Sequence, residues 1–183
     1  MVARRALVLG GTGMLAGVAT ALLDDGWLVV LPSRRRPGVP ATNGSGRGAK
    51  WVKADWTNPV ALAGAAREAL GGPADLLVAW VHREVRAGVL RAVGPLLAPD
   101  GPVVEVHGSA SANPVGGCPE PILPGHPTQQ VVLGYVRHAG RTRWLTHQEI
   151  SAGVLDAVRR ALAGRPPHVH QVGEFRPSIT SGR

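Results

Sequence analysis

The 183-residue sequence contains one cysteine, one tyrosine, one phenylalanine and two lysines, and its first apolar run is short. The single cysteine, Cys118, cannot form an internal disulfide, which excludes a disulfide-stapled secreted domain and is typical of a reducing compartment. The apolar run at residues 6–9 is too short for a signal peptide or a membrane span. We therefore expect a cytoplasmic protein with no membrane partner.

Acidic residues are also few, 12 against 20 lysines and arginines, and the formal net charge is +8. Such an excess is a feature of many nucleic-acid-binding proteins. Here the arginines are scattered, with one tight run at residues 34–36, and aromatic residues make up only 4% of the chain. A general bias towards Arg, Ala, Gly and Pro explains the excess, so we expect no nucleic-acid partner.

The most informative segment is residues 6–31. An unbroken apolar run at 6–9 predicts a buried parallel strand, and a glycine-rich turn follows at 10–17. A helix then runs to about residue 23, and residues 27–31 predict a second strand. A turn without side chains at a helix N-terminus is a site for a pyrophosphate, so the pattern predicts dinucleotide binding. The alternative is a tight turn with no ligand.

Further strands and helices alternate along the chain. Asn58 and Pro59 are typical of a helix start, as N-cap and first helical residue. The alternation predicts an α/β fold, a Rossmann-like doubly wound sheet, mostly parallel, in three α/β/α layers and forming a single domain over residues 1–183. The predicted elements are strands at 50–54, 75–82 and 103–107 and helices at 58–70 and 83–97.

The last third of the sequence is less regular. Residues 112–128 form a Pro/Gly-rich loop, and 130–136 and 143–145 resemble two strands of a late hairpin that turns at 138–140. Thr146 and Glu149 have the spacing of a capping box, which predicts a helix to about residue 162. A final strand is predicted at 169–172. We expect five parallel strands, followed by less regular pairing.

The order of these motifs resembles the short-chain dehydrogenase/reductase superfamily, and a small atypical branch of it in particular. The motifs are Gly-Gly-Thr-Gly-Met-Leu at 10–15, Val-Ala-Trp-Val-His at 78–82, Val-Val-Leu-Gly-Tyr-Val at 131–136 and Arg-Trp-Leu-Thr at 143–146. The resemblance covers nearly the whole chain. It implies a nicotinamide dinucleotide cofactor and an oxidoreductase activity.

One part of the superfamily pattern is missing. Standard members have a Tyr-x-x-x-Lys pair on a helix after the fifth strand, in which the lysine prepares the tyrosine to donate a proton. This chain has only Tyr135, with Ala139 four residues later, and its lysines, Lys50 and Lys53, lie far upstream. The dyad is absent, and the Pro/Gly loop stands where its helix is expected. The resemblance therefore favours cofactor binding more than carbonyl reduction.

The residues after the second strand indicate which cofactor binds. Folds that take NAD(H) usually have a carboxylate here, bonded to the ribose 2′-hydroxyl. This chain has Ser33, Arg34 and Arg35, then Arg36, and no acid. Guanidinium groups suit a 2′-phosphate, so NADP(H) is favoured over NAD(H) as the cofactor. The alternative is a solvated basic loop with no preference.

The resemblance implies further cofactor contacts. Asp55 and Trp56 are expected at the adenine, although Asp55 is equally suited to a turn. Ala79 and Trp80 are expected beside the nicotinamide-side ribose, although packing alone could explain Trp80. The glycine turn is expected to surround the pyrophosphate through Gly10, Thr12, Gly13, Met14 and Leu15.

Candidates for chemistry follow the fourth and fifth strands, because ligands bind outside the carboxyl ends of parallel strands. Ser109 matches the superfamily serine that bonds a substrate oxygen, and the imidazole of His82 is suited to proton transfer near neutral pH. Tyr135, the only phenol, is a third candidate. The alternatives are a turn for Ser109, a helix cap for His82 and a core or oligomer contact for Tyr135. The histidines show no helical His-x-x-x-His pair, so we expect no metal site.

Together these features predict an NADP(H)-dependent oxidoreductase that acts on a small molecule: an imine, an enone or an activated carbonyl. A non-redox isomerase, cyclase or lyase on the same scaffold is an alternative. A non-catalytic NADP(H)-binding sensor or partner protein is another. We also expect a homodimer or higher homo-oligomer, because a missing helix leaves a surface that a second copy can cover.

Overall fold

The first part of the chain alternates short apolar strands with amphipathic helices. A computed structural model describes residues 2–36, 48–108 and 118–175. A 3₁₀ turn, Gly94–Leu96, follows the third helix. The elements up to residue 108 are β1 (Arg5–Leu9), α1 (Ala16–Asp24), β2 (Leu28–Ser33), β3 (Gly48–Lys53), α2 (Pro59–Leu70), β4 (Leu76–Ala79), α3 (Arg83–Val93) and β5 (Val103–Gly108).

The second part adds two strands to the main sheet and a small hairpin beside it. Helix α4 lies between the hairpin and the last strand. The elements are β6 (Thr128–Leu133), β7 (Tyr135–His138), β8 (Arg141–Trp144), α4 (His147–Leu162) and β9 (Val169–Val172).

Seven strands form one sheet in the order β3-β2-β1-β4-β5-β6-β9. All six strand pairs of this sheet are parallel. Helices α1 and α4 cover one face and α2 and α3 the other, each over its own apolar cluster. This is the Rossmann-like, three-layer α/β architecture that the sequence predicts. The strand order reverses direction between β1 and β4, and such a switch point is where open α/β sheets bind ligands.

The prediction for the late strands is wrong in part. Residues 130–133 belong to β6, a sixth parallel strand beside β5, and β9 is a seventh. The hairpin is limited to β7 and β8, which pair antiparallel, Tyr135 opposite Trp144. The division falls at Gly134, where a Cβ would overlap the backbone of Glu174. The run from Val131 to Leu133 is fully buried, which fits a strand inside a parallel sheet.

The turn of the hairpin lies where the sequence predicts it. Ala139 and Gly140 both have positive φ, +47° and +74°. Two such residues in a row make a type I′ turn, whose twist matches that of the flanking strands. The chain can therefore reverse within two residues.

Both helix starts predicted from capping residues are confirmed. Asn58 Oδ1 accepts a hydrogen bond from the Ala61 N–H at 3.3 Å, with Pro59 as the first residue of α2. Thr146 Oγ1 accepts from the Glu149 N–H at 3.1 Å, and Glu149 Oε2 accepts from the Thr146 N–H at 2.8 Å. Helix α3 ends four residues before the predicted position, because Gly94 and Pro95 begin the 3₁₀ turn.

None of the helices in the described ranges combines the length and apolarity needed to cross a lipid bilayer.

Candidate functional site

The glycine turn lies at the carboxyl end of β1, at the switch point. Gly10 has φ of +97°, and its carbonyl oxygen accepts hydrogen bonds from the N–H groups of Gly13 and Leu15, both at 3.1 Å. A Cβ on Gly10 would lie 3.2 Å from the backbone oxygen of Trp80, the residue that follows β4. Backbone conformation and close approach together require glycine here.

The turn leaves hydrogen-bond donors unused. The N–H groups of Gly11, Thr12 and Met14 donate to no acceptor in the part of the chain that the structure describes. Helix α1 begins just beyond, and no side chain caps it. Unpaired N–H groups and the positive end of a helix dipole favour an anionic group, as dinucleotide-binding turns do with a pyrophosphate.

The glycines of the turn have different tasks. Gly13 has open space around its Cβ position, and the Gly10 oxygen is the only atom of the described residues within 4.0 Å of it. Gly11 has no open space at its Cβ position, because a Cβ there would lie 2.5 Å from the Leu31 side chain. Gly11 is therefore a packing residue between the turn and β2, a role that the sequence pattern does not separate from ligand approach.

A basic corner, residues 33–36, follows β2 at the same edge of the sheet. Arg34, Arg35 and Arg36 are exposed, and Ser33 is buried. Ser33 Oγ donates to the Arg35 carbonyl oxygen at 2.6 Å and accepts from Trp51 Nε1 at 2.9 Å. The hydroxyl thus folds the corner, and its only proton is already engaged in the bond to Arg35.

Asp55 holds a turn after β3. Its Oδ1 accepts hydrogen bonds from the Thr57 N–H at 2.9 Å and the Thr57 hydroxyl at 2.8 Å. These two bonds, with a smaller contribution from the positive charge of Arg34, lower the pKa of Asp55 below its usual value. The influence of Arg34 links the basic corner to the turn after β3, the two places where the adenosine end of a dinucleotide is expected.

Two indoles and an imidazole gather near the end of β4. The ring of His82 packs edge-on against Trp80 at 5.0 Å between centroids and lies 6.2 Å from the ring of Trp56. Trp56 Nε1 is buried and has no hydrogen-bond partner among the described residues. His82 occupies the N-cap position of α3, but its side chain makes no capping hydrogen bond. Ala79 is buried at the last position of β4.

The remaining candidates are Ser109 and Tyr135. Ser109 lies outside the described residues. Tyr135 begins β7, where its backbone pairs with Glu174 in both directions, and its hydroxyl lies 3.5 Å from an Arg137 nitrogen. Strand β5 separates β4 from β6, so the ends of those two strands are about 10 Å apart. Tyr135 follows the carboxyl end of β6 and therefore lies at the same edge of the sheet, two strand positions from β4.

The sequence prediction missed a buried charged pair. Arg86 on α3 donates through Nε to Glu105 Oε2 at 2.9 Å, and a second bond joins its Nη2 to the same oxygen. Only 2% of Glu105 is exposed, and its Oε1 has no partner in the described ranges. The signal was the alternation within β5, where Val104 and Val106 face one apolar cluster while Glu105 and His107 face the other side.

His107 lies beside this pair and is uncharged. Burial, and then the nearby positive charge of Arg86, lower the pKa of His107 from 6.5 to about 4. Gln130 Nε2 is 2.7 Å from the Pro119 carbonyl oxygen and 3.5 Å from His107 Nε2. An amide nitrogen only donates, so His107 Nε2 accepts and the ring proton is assigned to Nδ1. The neutral ring suits a structural hydrogen bond, not proton donation near pH 7.

A strap, residues 118–127, covers this part of the sheet. The strap carbonyls of Pro119 and Glu120 accept from Gln130 and Arg86, at 2.7 and 3.2 Å. Leu123 packs where a Cβ on Gly94 would be, 2.7 Å away. The described part of the β5–β6 connection contains no helix. Gln130 of β6 and Arg86 of α3 thus bind strap carbonyls, where a helix would need apolar contacts.

Cys118, at the start of the strap, is not set up as a nucleophile. Burial, and next the negative charge of Glu105, raise the pKa of the Cys118 thiol. A raised pKa keeps the sulfur protonated near neutral pH. The described residues also contain no group of three or more His, Cys, Asp or Glu side chains placed to hold a metal ion.

Comparisons with known proteins agree with this architecture. A structure of NADH-dependent reductase A1-R′ complexed with NAD is 18% identical and has a TM-score of 0.66, with 96% of this chain and 98% of that chain covered. Ligand-free aldohexose dehydrogenase from Thermoplasma acidophilum is 13% identical, with a TM-score of 0.66 and coverage of 99% and 98%. A short-chain dehydrogenase/reductase from Brucella melitensis, described as a glucose/ribitol dehydrogenase, is 14% identical, with a TM-score of 0.62 and coverage of 95% and 97%.

No protein-family model matches the sequence, and no curated protein matches it either. At identities this low, the likeness concerns the path of the backbone and not the active-site side chains. It extends over nearly the full length of both chains in each of these three comparisons. The chain has the fold of the short-chain dehydrogenases/reductases.

Proposed function

We propose that this protein is an NADP(H)-dependent oxidoreductase that transfers hydride to or from a small molecule. The observation that carries the proposal is the glycine turn at the switch point. It combines the positive φ of Gly10, the unused N–H groups of Gly11, Thr12 and Met14, and the start of α1. Those donors are suited to a pyrophosphate, the group common to both nicotinamide cofactors.

The preference for NADP(H) rests on the basic corner. Three exposed guanidinium groups follow β2, and no carboxylate is present between Leu31 and Arg36 to bond a ribose 2′-hydroxyl. Arginine binds a phosphate with two parallel, charge-assisted hydrogen bonds. The neighbouring NADH-dependent reductase with bound NAD supports a nicotinamide cofactor in this fold. The arginines support the phosphorylated form for this chain.

The residues around the switch point suggest how a cofactor would be held. Gly10 to Leu15 would bind the pyrophosphate, Asp55 and Trp56 would border the adenine, and Ala79 and Trp80 would border the second ribose. Bound NADP(H) supplies the hydride chemistry itself. The chain's own residues have the tasks of orienting the nicotinamide and binding the reacting group of the substrate.

Ser109, His82 and Tyr135 are the candidates for that second task. In the absence of a Tyr-x-x-x-Lys dyad, an imine, an enone or an activated carbonyl is a better substrate than an unactivated ketone, because each accepts hydride with less assistance. His82 is exposed just past the end of β4, and its imidazole is the side chain most often used for proton transfer. We also propose a homo-oligomeric, cytoplasmic enzyme, and light scattering tests its oligomeric state.

The test is consumption of NADPH by the purified protein with a panel of small imines, enones and aldehydes. We expect NADPH to be oxidised with at least one class, and more slowly with NADH. If the cofactor binds but is not consumed with any member, the protein is a nucleotide sensor. If a substrate is converted without loss of NADPH, the scaffold catalyses a non-redox reaction. Either result contradicts the proposal.

A further inference from the structure

We infer that Trp51 of β3 is a specificity-determining positioning residue, which holds the basic corner in the shape that binds the 2′-phosphate of NADP(H). The inference rests on the proposed function, because it presupposes that the corner binds this phosphate. It adds a residue that lies outside the corner, on the neighbouring strand β3.

The register of the sheet brings Trp51 to the corner. In the parallel pairing of β2 and β3, Leu31 lies opposite Trp51 and Ser33 opposite Lys53. The indole reaches towards the carboxyl end of the neighbouring strand, where its Nε1 donates to Ser33 Oγ at 2.9 Å. Trp51 is only half-buried, so its ring is not simply a core residue.

The chemistry of the donors determines the direction of both hydrogen bonds, from Trp51 to Ser33 and from Ser33 to Arg35. An indole N–H can only donate, so Ser33 Oγ accepts from Trp51. The serine proton is then directed at the Arg35 carbonyl oxygen, 2.6 Å away. Two consecutive bonds polarise each other, so the first strengthens the second. Trp51 therefore acts on the Arg35 backbone through Ser33.

The consequence is a fixed backbone on both sides of Arg34. Ser33 and Arg35 are joined by a side-chain-to-backbone bond between residues two apart, in which the hydroxyl donates to the carbonyl oxygen. Arg34 is the residue between them. On the other side of the indole, the guanidinium carbon of Arg36 lies 6.0 Å from the ring centroid, within the range of a cation–π contact. One tryptophan thus contacts the corner through its N–H and through its ring face.

A corner that is ordered before binding loses less conformational entropy when the phosphate arrives. Arginine side chains lose much rotamer freedom when they bind a phosphate. The corner arginines are proposed to bind the 2′-phosphate, so ordering the corner in advance strengthens the binding of that group and not of the pyrophosphate, which both cofactors share. Loss of the Trp51 N–H should therefore weaken binding of nucleotides with a 2′-phosphate and leave the others almost unchanged.

The test compares 2′,5′-ADP with 5′-AMP, two probes that differ only by the 2′-phosphate, using the full-length protein and isothermal calorimetry. The measured quantity is the ratio of the two dissociation constants. Trp51→Phe keeps an aromatic ring and removes the N–H. The net value of one hydrogen bond predicts a fall of about five- to tenfold in the preference for 2′,5′-ADP.

Three further variants make the result specific. Trp51→His restores an N–H donor and should recover part of the preference. Ser33→Ala removes the relay, so adding Trp51→Phe to it should cause little additional loss. Trp144→Phe alters an exposed tryptophan of the hairpin, 78% exposed, and should leave the ratio unchanged. Circular dichroism confirms that each variant is folded.

An unchanged ratio in Trp51→Phe, with the protein folded, overturns the inference. An equal loss of affinity for both nucleotides also overturns the inference, because the effect would then not concern the 2′-phosphate. If Trp51→Phe does not fold, Ser33→Ala decides by the same ratio. If the wild-type protein binds neither nucleotide, the proposed function itself fails, and this outcome is distinct because it appears before any variant is made.

Discussion

Arg86 and Glu105 form a buried ion pair that ties α3 to β5 and, through the Glu120 carbonyl, to the strap. Only 14% of the Arg86 side chain and 2% of the Glu105 side chain are exposed. Both charges are satisfied mainly by each other. The strap therefore depends on a pair of residues 19 positions apart in sequence.

Glu105→Gln should destabilise the protein strongly. It leaves the Arg86 guanidinium buried without a counter-charge, and breaking one side of a buried ion pair costs about 3–5 kcal/mol. Urea unfolding of the wild type and the variant measures the difference. The double variant Arg86→Met, Glu105→Met removes both charges and should regain much of the loss. An exposed ion pair contributes less than about 1 kcal/mol to the free energy of unfolding. A loss of that size in Glu105→Gln would therefore show that the pair is not buried in solution.

The stability of the protein should rise with pH between about 4 and 6.5. The pKa of His107 is 6.5 when unfolded and about 4 when folded, so the unfolded state binds more protons in this window. The contribution of His107 to the stability of the folded protein is complete above pH 6.5 and is lost as the pH falls towards 4. The linkage between proton binding and folding gives a change of up to about 3 kcal/mol in the free energy of unfolding, which unfolding curves at several pH values measure.

The control for this prediction is His107→Asn, which removes the titrating group and should flatten the curve in the same window. The pKa of His170 is also lowered, by burial first, so some slope should remain in the variant. Hydrogen bonds from Arg143 and the Thr146 N–H lower the pKa of Glu149 to about 2, so its effect falls below pH 4.5 and overlaps only the lower end of the window. Identical slopes for wild type and His107→Asn would contradict the pKa shift of His107.

Gly10→Ala should abolish or greatly weaken cofactor binding. The φ of +97° disfavours any L-residue, and the new Cβ would press on the Trp80 backbone, so the turn must open. We expect a loss of more than about tenfold in NADP⁺ affinity, measured by calorimetry, from strain of about 1–3 kcal/mol.

Gly26→Ala is the matched control for Gly10→Ala. Gly26 also has a positive φ, +80°, but nothing lies within 4 Å of its Cβ position and it follows α1 at the opposite end from the glycine turn. It should lower stability by a similar amount and leave NADP⁺ affinity unchanged. An equal loss of affinity in both variants would mean that general destabilisation, and not the glycine turn, is responsible.

The sequence predicted those parts of the fold that depend on neighbouring residues. The Asn58 and Thr146 caps, the hairpin turn at Ala139 and Gly140, and the strand before Gly10 each follow from residues within one or two turns of chain. It did not predict that β6 joins the sheet, because Gln129 and Gln130 interrupt the apolar pattern. Their amides serve partners far away in sequence, among them Pro166 and Pro119.

The same limit applies to the candidate site. The turn that would hold a pyrophosphate is a local motif, and its geometry could be predicted. Two contacts join different elements of the fold: the bond from Trp51 to Ser33 and the ion pair of Arg86 with Glu105. No residue spacing in the sequence predicts them. The aromatic group around His82 likewise joins residues that follow β3 and β4, two strands that are not neighbours in the sheet. Residues that act across strands and helices became visible only in the structure.

The most direct test of the account is a calorimetric titration of the purified protein with NADP⁺ and, separately, with NAD⁺. We predict saturable binding of NADP⁺ that is at least about tenfold tighter than that of NAD⁺, because a charge-assisted bond to the 2′-phosphate contributes about 1.5–3 kcal/mol. Arg34→Ala should remove most of this difference. No heat with either nucleotide, or equal affinities that Arg34→Ala does not alter, would contradict the account.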